Sequence, residues 1–104
     1  MSGAPSAVTV VGNTNLDIMV SGAAALPEPG TESIVPGISI RLGGSAGNLA
    51  VRCAGLGQST TLVSKVGDDA STRLLEQELA LPGLESVLVR DAGLPSGITV
   101  AVEA

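Results

Sequence analysis

With 104 residues, ten acidic against five basic side chains and a net charge of −5, the chain carries no basic patch, which argues against nucleic acid or an anionic membrane as a partner. It has no histidine, the commonest general base and metal ligand, and no Phe, Tyr or Trp, so a core must be built from Val, Leu, Ile and Ala. The single Cys53 excludes an internal disulfide and fits a reducing compartment. The first twenty residues lack a positive n-region and no apolar run approaches membrane-spanning length, so a cytoplasmic location is expected.

In chain order, Met1–Ser6 reads as a loose, small-residue terminus, and Ala7–Val11 as a short β-branched strand of the kind buried in a parallel sheet, ending at Gly12. Asn13–Ser21 alternates, with Leu16, Ile18 and Val20 on one face and Asp17 and Met19 on the other. A turn-rich stretch, Leu26–Gly30, precedes two strands at Ser33–Val35 and Ile38–Leu42 separated by Pro36-Gly37, expected to form a small antiparallel flap. The period then becomes helical from Ser45 to Leu56, where Ala46, Leu49, Ala50, Cys53 and Ala54 form an apolar stripe, with Ser45 as N-cap and Gly57 as stop. A strand at Thr60–Val66, a helix at Ala70–Leu81 with Leu74, Leu75 and Leu79 inward, and strands at Ser86–Arg90 and Ile98–Val102 complete an α/β pattern with helix crossovers.

No G-x-x-x-x-G-K-[ST] loop is present, and Gly12-Asn13-Thr14-Asn15-Leu16-Asp17 stands where a dinucleotide fold would place G-x-G-x-x-G. Two segments could carry chemistry instead. Asn15 and Asp17 share one face of a strand and together offer acceptors and a donor for vicinal hydroxyls; spacing alone favours the plainer alternative, turn residues beside a solvated carboxylate. Gly43-Gly44 before a helix leaves backbone amides uncovered, with Asn48 in the first turn, and is equally a strand-to-helix connection that needs positive φ. Asp68-Asp69 reads as a turn and helix cap rather than a metal site, and Cys53 as a packing residue.

Gly43-Gly44-Ser45-Ala46-Gly47-Asn48-Leu49-Ala50, followed by Gly57 and Gly67, resembles the N-terminal signature of the PfkB (ribokinase-like) carbohydrate kinase family. Val11-Gly12-x-x-Asn15-x-Asp17, Pro29-Gly30-Thr31 and Val66-Gly67-Asp68-Asp69 agree with it, so that the resemblance runs from about Val8 to about Val102. It implies an α/β fold, the N-terminal part of a three-layer α/β/α sheet with a small β lid whose strands lie at about 14–21, 33–42 and 98–103. It also implies transfer of a phosphoryl group from ATP, with Mg²⁺, to a hydroxyl of a sugar or nucleoside. By the same resemblance Asn15, Asp17, Gly43, Gly44 and Asn48 contact the sugar.

Two departures bear on activity. The family's C-terminal Asp-Thr-x-Gly-Ala-Gly-Asp motif, which supplies the catalytic Asp and the anion hole, does not occur in this sequence, and Thr72 stands where the family usually has glycine. The resemblance therefore implies an N-terminal portion, a truncated product or a fragment, without the ATP-binding and catalytic part. No catalytic or metal-ligating residue is assigned to it, and neither ATP nor Mg²⁺ is expected to bind it alone. The alternative is a non-catalytic sugar-binding module, or one that dimerises through its lid, whose exposed strand edges pair readily. A third expectation is marginal folding, since half of a doubly wound sheet leaves an open edge.

Overall fold

The computed structural model describes residues 7–103, and the terminus read at Met1–Ser6 lies outside them. Six strands and two helices follow in the order β1 (Ala7–Val11), β2 (Asn15–Ser21), β3 (Gly37–Gly43), α1 (Ser45–Gly55), β4 (Ser59–Gly67), α2 (Ala70–Glu78), β5 (Leu84–Asp91) and β6 (Ile98–Val102). They form two three-stranded sheets. The main sheet has the order β1-β4-β5 and is entirely parallel; the lid sheet has the order β3-β2-β6, with β2 antiparallel to β3 and parallel to β6. The expected antiparallel flap is thus a mixed sheet, because β6 returns from the main sheet in the direction of β2.

Both helices pack on one face of the main sheet. Val10 on β1 and Leu62 on β4 are register partners, and they bury together against Ala46 and Ala50 of α1 and Leu79 after α2. A second cluster joins Val66 of β4 to Leu75 of α2 and to Leu16 of β2, so the lid is anchored to the body through one buried leucine. On the opposite face Val11 is 74% exposed, and Val87 and Val89 are also exposed, so the described residues supply two layers of the three-layer arrangement. None of the described helices is long and apolar enough to cross a membrane.

Several local expectations are corrected. Ser33–Val35 is not a strand; it belongs to an irregular segment leading to Pro36, which has no N–H for a ladder, and Ile34 finds nothing to pack against. Helix α1 takes its N-cap from Gly44 (φ 86°) and not from Ser45, which is the first helical residue, and its stripe is Ala46, Gly47 and Ala50, leaving Leu49 51% exposed. Its end follows the expected glycine stop: the Gly57 N–H donates to Ala54 O and the Gln58 N–H to Cys53 O, with Gly57 at φ +87°. Helix α2 closes at Glu78, earlier than the expected Leu81, and Leu74 is part-exposed rather than inward.

Candidate functional site

The register of the lid sheet decides which side chains share a face. Along β2, Asn15, Asp17 and Met19 point to one side. Gly43, Arg41 and Ser39 of β3 stand opposite them across one edge, and Thr99 and Ala101 of β6 across the other. This face holds all the polar side chains of the sheet's paired positions apart from its last pair, beside Met19 and Ala101, whereas the other carries Leu16, Ile18 and Val20 with Ile38, Ile40, Leu42, Ile98, Val100 and Val102. Asp17 is therefore flanked by Arg41 and Thr99, two residues that the sequence reading did not assign to the site. Their signal was the period-2 alternation of their strands, but pairing across strands cannot be read from one strand alone.

Glycines on both sides let the two polar side chains of β2 lie down on the sheet. A Cβ at Gly43 would overlap the Asp17 carboxyl group, and a Cβ at Gly97 would come within 2.6 Å of Asn15 Oδ1. The carboxylate thus rests over Gly43 and the amide over Gly97, on the same face and two residues apart. Together they present acceptor oxygens and an N–H donor toward the same space, the set that two neighbouring hydroxyls need.

Gly44 turns the chain from β3 into α1. Its positive φ and the nearness of Asn13 O, 2.6 Å from where a Cβ would sit, leave no room for a side chain. Gly43 does not share the positive φ; its need for glycine comes from the Asp17 carboxylate. Helix α1 starts without a side-chain cap, its Gly47 N–H donates to Asn13 O at 3.2 Å, and Ser45 Oγ donates to Asn13 Oδ1 at 2.9 Å. Asn48 lies one turn into α1 and is exposed. The structure thus lays the Asp17 carboxyl on Gly43, the register partner of Asn15, with Gly44 at the joint and Asn48 at the first turn of α1.

Beside the lid, at the carboxyl ends of the main strands, a cavity of about 160 Å³ is lined by Asn13, Asn15, Lys65, Asp91 and Ser96. Lys65 Nζ pairs with Asp91 Oδ2 at 3.1 Å. The Gly93 backbone N–H, followed by Lys65, holds the Asp91 carboxyl below its usual range. Asp69 caps α2 by accepting from the Thr72 N–H, as the turn-and-cap reading expected, and also accepts from the Ser96 N–H at 2.9 Å. The Ser96 N–H is the largest cause of its lowered pKa. Among the described residues no three His, Cys, Asp or Glu side chains gather to hold a metal ion.

Residues 6–104 match the pfkB family carbohydrate kinase profile. The chain belongs to the pfkB family of carbohydrate kinases. Among curated relatives, the bifunctional protein HldE of Bradyrhizobium sp. (strain ORS 278) is 40% identical over 94 residues, 86% of this chain and 19% of that protein. The chain therefore spans about a fifth of the length of the curated relatives it matches. Among solved structures, Arabidopsis thaliana ribokinase complexed with ribose and ATP superposes with a TM-score of 0.73 at 28% identity, over 95% of this chain and 32% of that one. A carbohydrate kinase from Agrobacterium tumefaciens reaches a TM-score of 0.76 at 18% identity, over 92% and 31% respectively, and shares the fold. The α/β pattern and ribokinase-like architecture expected from the sequence are those of this pfkB fold.

Proposed function

We propose that this chain forms the acceptor-binding part of a sugar or nucleoside kinase. Asn15 and Asp17 bind two neighbouring hydroxyls, Gly43 and Gly44 contribute by giving the Asp17 carboxylate its seat and the chain its turn into α1 beside the acceptor, and Asn48 reaches it from the first turn of α1. The observation that carries the reading is the Asn15–Asp17 pair laid over Gly97 and Gly43 on the polar face of the lid. Its match to the pfkB family supports the class of acceptor.

ATP and Mg²⁺ are the cofactors of the family reaction, and the residues present here do not fit them. The sequence holds no Asp-Thr-x-Gly-Ala-Gly-Asp motif, and no acidic cluster suited to a metal occurs among the described residues. Phosphoryl transfer depends on positioned donors and metal charge around the transferring group, so no transfer step is assigned to these residues. The proposed role of the 104-residue chain alone is binding without turnover.

Titrating the ¹⁵N-labelled chain with D-ribose tests the binding. Shifts confined to residues 13–17, 41–48 and 97–99 are expected, and Asp17→Asn should weaken binding about tenfold, the worth of one or two lost hydrogen bonds. Ribose that leaves these resonances unmoved overturns the acceptor reading, and ATP-dependent phosphorylation by this chain alone overturns the non-catalytic one.

A second reading has its own observation. The other face of the lid exposes Ile38, Ile40, Ile98, Val100 and Val102 together, and such a contiguous apolar surface favours self-association. Sedimentation equilibrium should then show a dimer that Val100→Lys dissolves; a strict monomer at high concentration counts against it.

A further inference from the structure

The end of β4, the start of α2 and the loop entering β6 meet in one buried polar cluster. The Gly67 N–H donates to Ser96 Oγ at 3.0 Å, and Thr72 Oγ1 donates to Gly67 O in a short hydrogen bond. The Thr72 and Ser96 hydroxyls lie 3.3 Å apart, and the Ser96 N–H donates to Asp69 Oδ2 at 2.9 Å. Thr72 and Ser96 are both buried, so the bonds that join them to Gly67 and to each other are shielded from competing water, while the bond to Asp69 is part-buried. Space is as restricted as polarity: a Cβ on Gly67 would overlap Ser96 N and crowd Leu94 O.

One residue beyond Ser96 the chain reaches the lid. Gly97 O accepts from the Leu16 N–H at 3.0 Å, and the Asn15 amide lies against the Gly97 backbone. A continuous path of contacts therefore runs from the first turn of α2 through Ser96 and Gly97 to Asn15. Elsewhere Asn13, just before β2, is hydrogen-bonded to the start of α1, and the lid packs on the body through the buried Leu16 and the partly buried Leu42, apolar contacts that resist separation but do not set direction. On the β6 side the directional part of the joint is the hydrogen-bonded cluster.

We propose that Asp69, Thr72 and Ser96 form a latch that fixes lid strand β6 to the main sheet and thereby orients the Asn15 amide, making Ser96 a positioning residue of the acceptor site. The inference rests on the acceptor reading for its consequence on binding, and on the fold alone for its consequence on geometry.

The test uses the ¹⁵N-labelled 104-residue chain with Ser96→Ala and, independently, Thr72→Val, which keeps the shape and removes the hydroxyl. Val10→Ala in the core serves as a control of reduced stability. In both latch variants the Leu16 amide should exchange about tenfold faster and the Asn15 side-chain amide resonances should move, while the amides of Leu62 and Val63 keep their protection. D-ribose should bind more weakly to the same variants, and Val10→Ala should leave the Asn15 resonances in place. Unchanged Leu16 exchange and Asn15 resonances overturn the latch, as does loss of protection spread evenly over both sheets. If the parent chain itself ignores ribose, the acceptor reading fails while Leu16 exchange and the Asn15 resonances still decide the latch.

Discussion

The two sheets have the same number of strands and similar β-branched sequences, yet they do different work. The main sheet turns Val10, Leu62 and Val66 toward two helices, and Leu62 is 0% exposed. The lid turns an equally apolar face, Ile38, Ile40, Ile98, Val100 and Val102, largely to solvent, with Val100 59% exposed. Only Leu16 and, in part, Leu42 bury on the body. Stability therefore resides in the main sheet, and the lid is left free to present polar groups on a surface made level by Gly43 and Gly97. A site needs side chains that stand clear of a core; a core needs side chains that do not.

Substitutions can break this division. Leu62→Ala should have the largest effect, a loss of about 3 kcal/mol in urea unfolding, because the fully buried side chain packs between Val10, helix α1 and Leu79. Gly43→Ala should cost less, about 1–3 kcal/mol from forced displacement, but should expel the Asp17 carboxylate from its seat and remove the ribose-induced shift at Asp17. Equal stability losses at the two sites with ribose binding kept in Gly43→Ala would erase the contrast.

Acid should loosen the joint between the sheets before it reaches the core. Hydrogen bonds led by the Ser96 N–H lower the Asp69 pKa in the folded chain below its ordinary 3.8. A depressed folded pKa contributes stability that is fully present above the unfolded value and is lost as pH falls through the folded one. Unfolding midpoints should therefore drop below about pH 4, and Asp69→Asn should flatten that part of the profile. An Asp69→Asn chain with the parent's acid profile would remove Asp69 from the account.

The smallest effect is expected on the bare faces. Val89→Thr on the main sheet and Val100→Thr on the lid should each change stability by less than about 0.5 kcal/mol, since neither side chain is buried in the chain. A larger loss at Val100 that grows with protein concentration would show the lid face to be covered by a second copy.

Several elements could be read one residue at a time. Alternation along 15–21 separated Asp17 from Leu16, and the Gly57 stop closed α1, because these depend on local geometry. Ser33–Val35 misled for the converse reason: its β-branched residues suit a strand, but no neighbour accepts their hydrogen bonds. Ser45 misled because a glycine with positive φ could take the cap position directly before it.

By itself the sequence determined the order of the strands and helices, apart from the strand expected at Ser33–Val35, and the family signature at 43–67, and it was the resemblance to that family, more than spacing, that made Asn15 and Asp17 candidates. Only the tertiary structure decided that Gly97 makes room for Asn15 as Gly43 does for Asp17, that Arg41 and Thr99 flank that carboxylate, and that Ser96 ties the lid to α2. These residues lie from 24 to 82 positions away from their partners, Arg41 from Asp17 and Gly97 from Asn15 marking the extremes. Strand register and hydrogen bonds across such separations are settled by which surfaces bury together, and no local pattern encodes that choice.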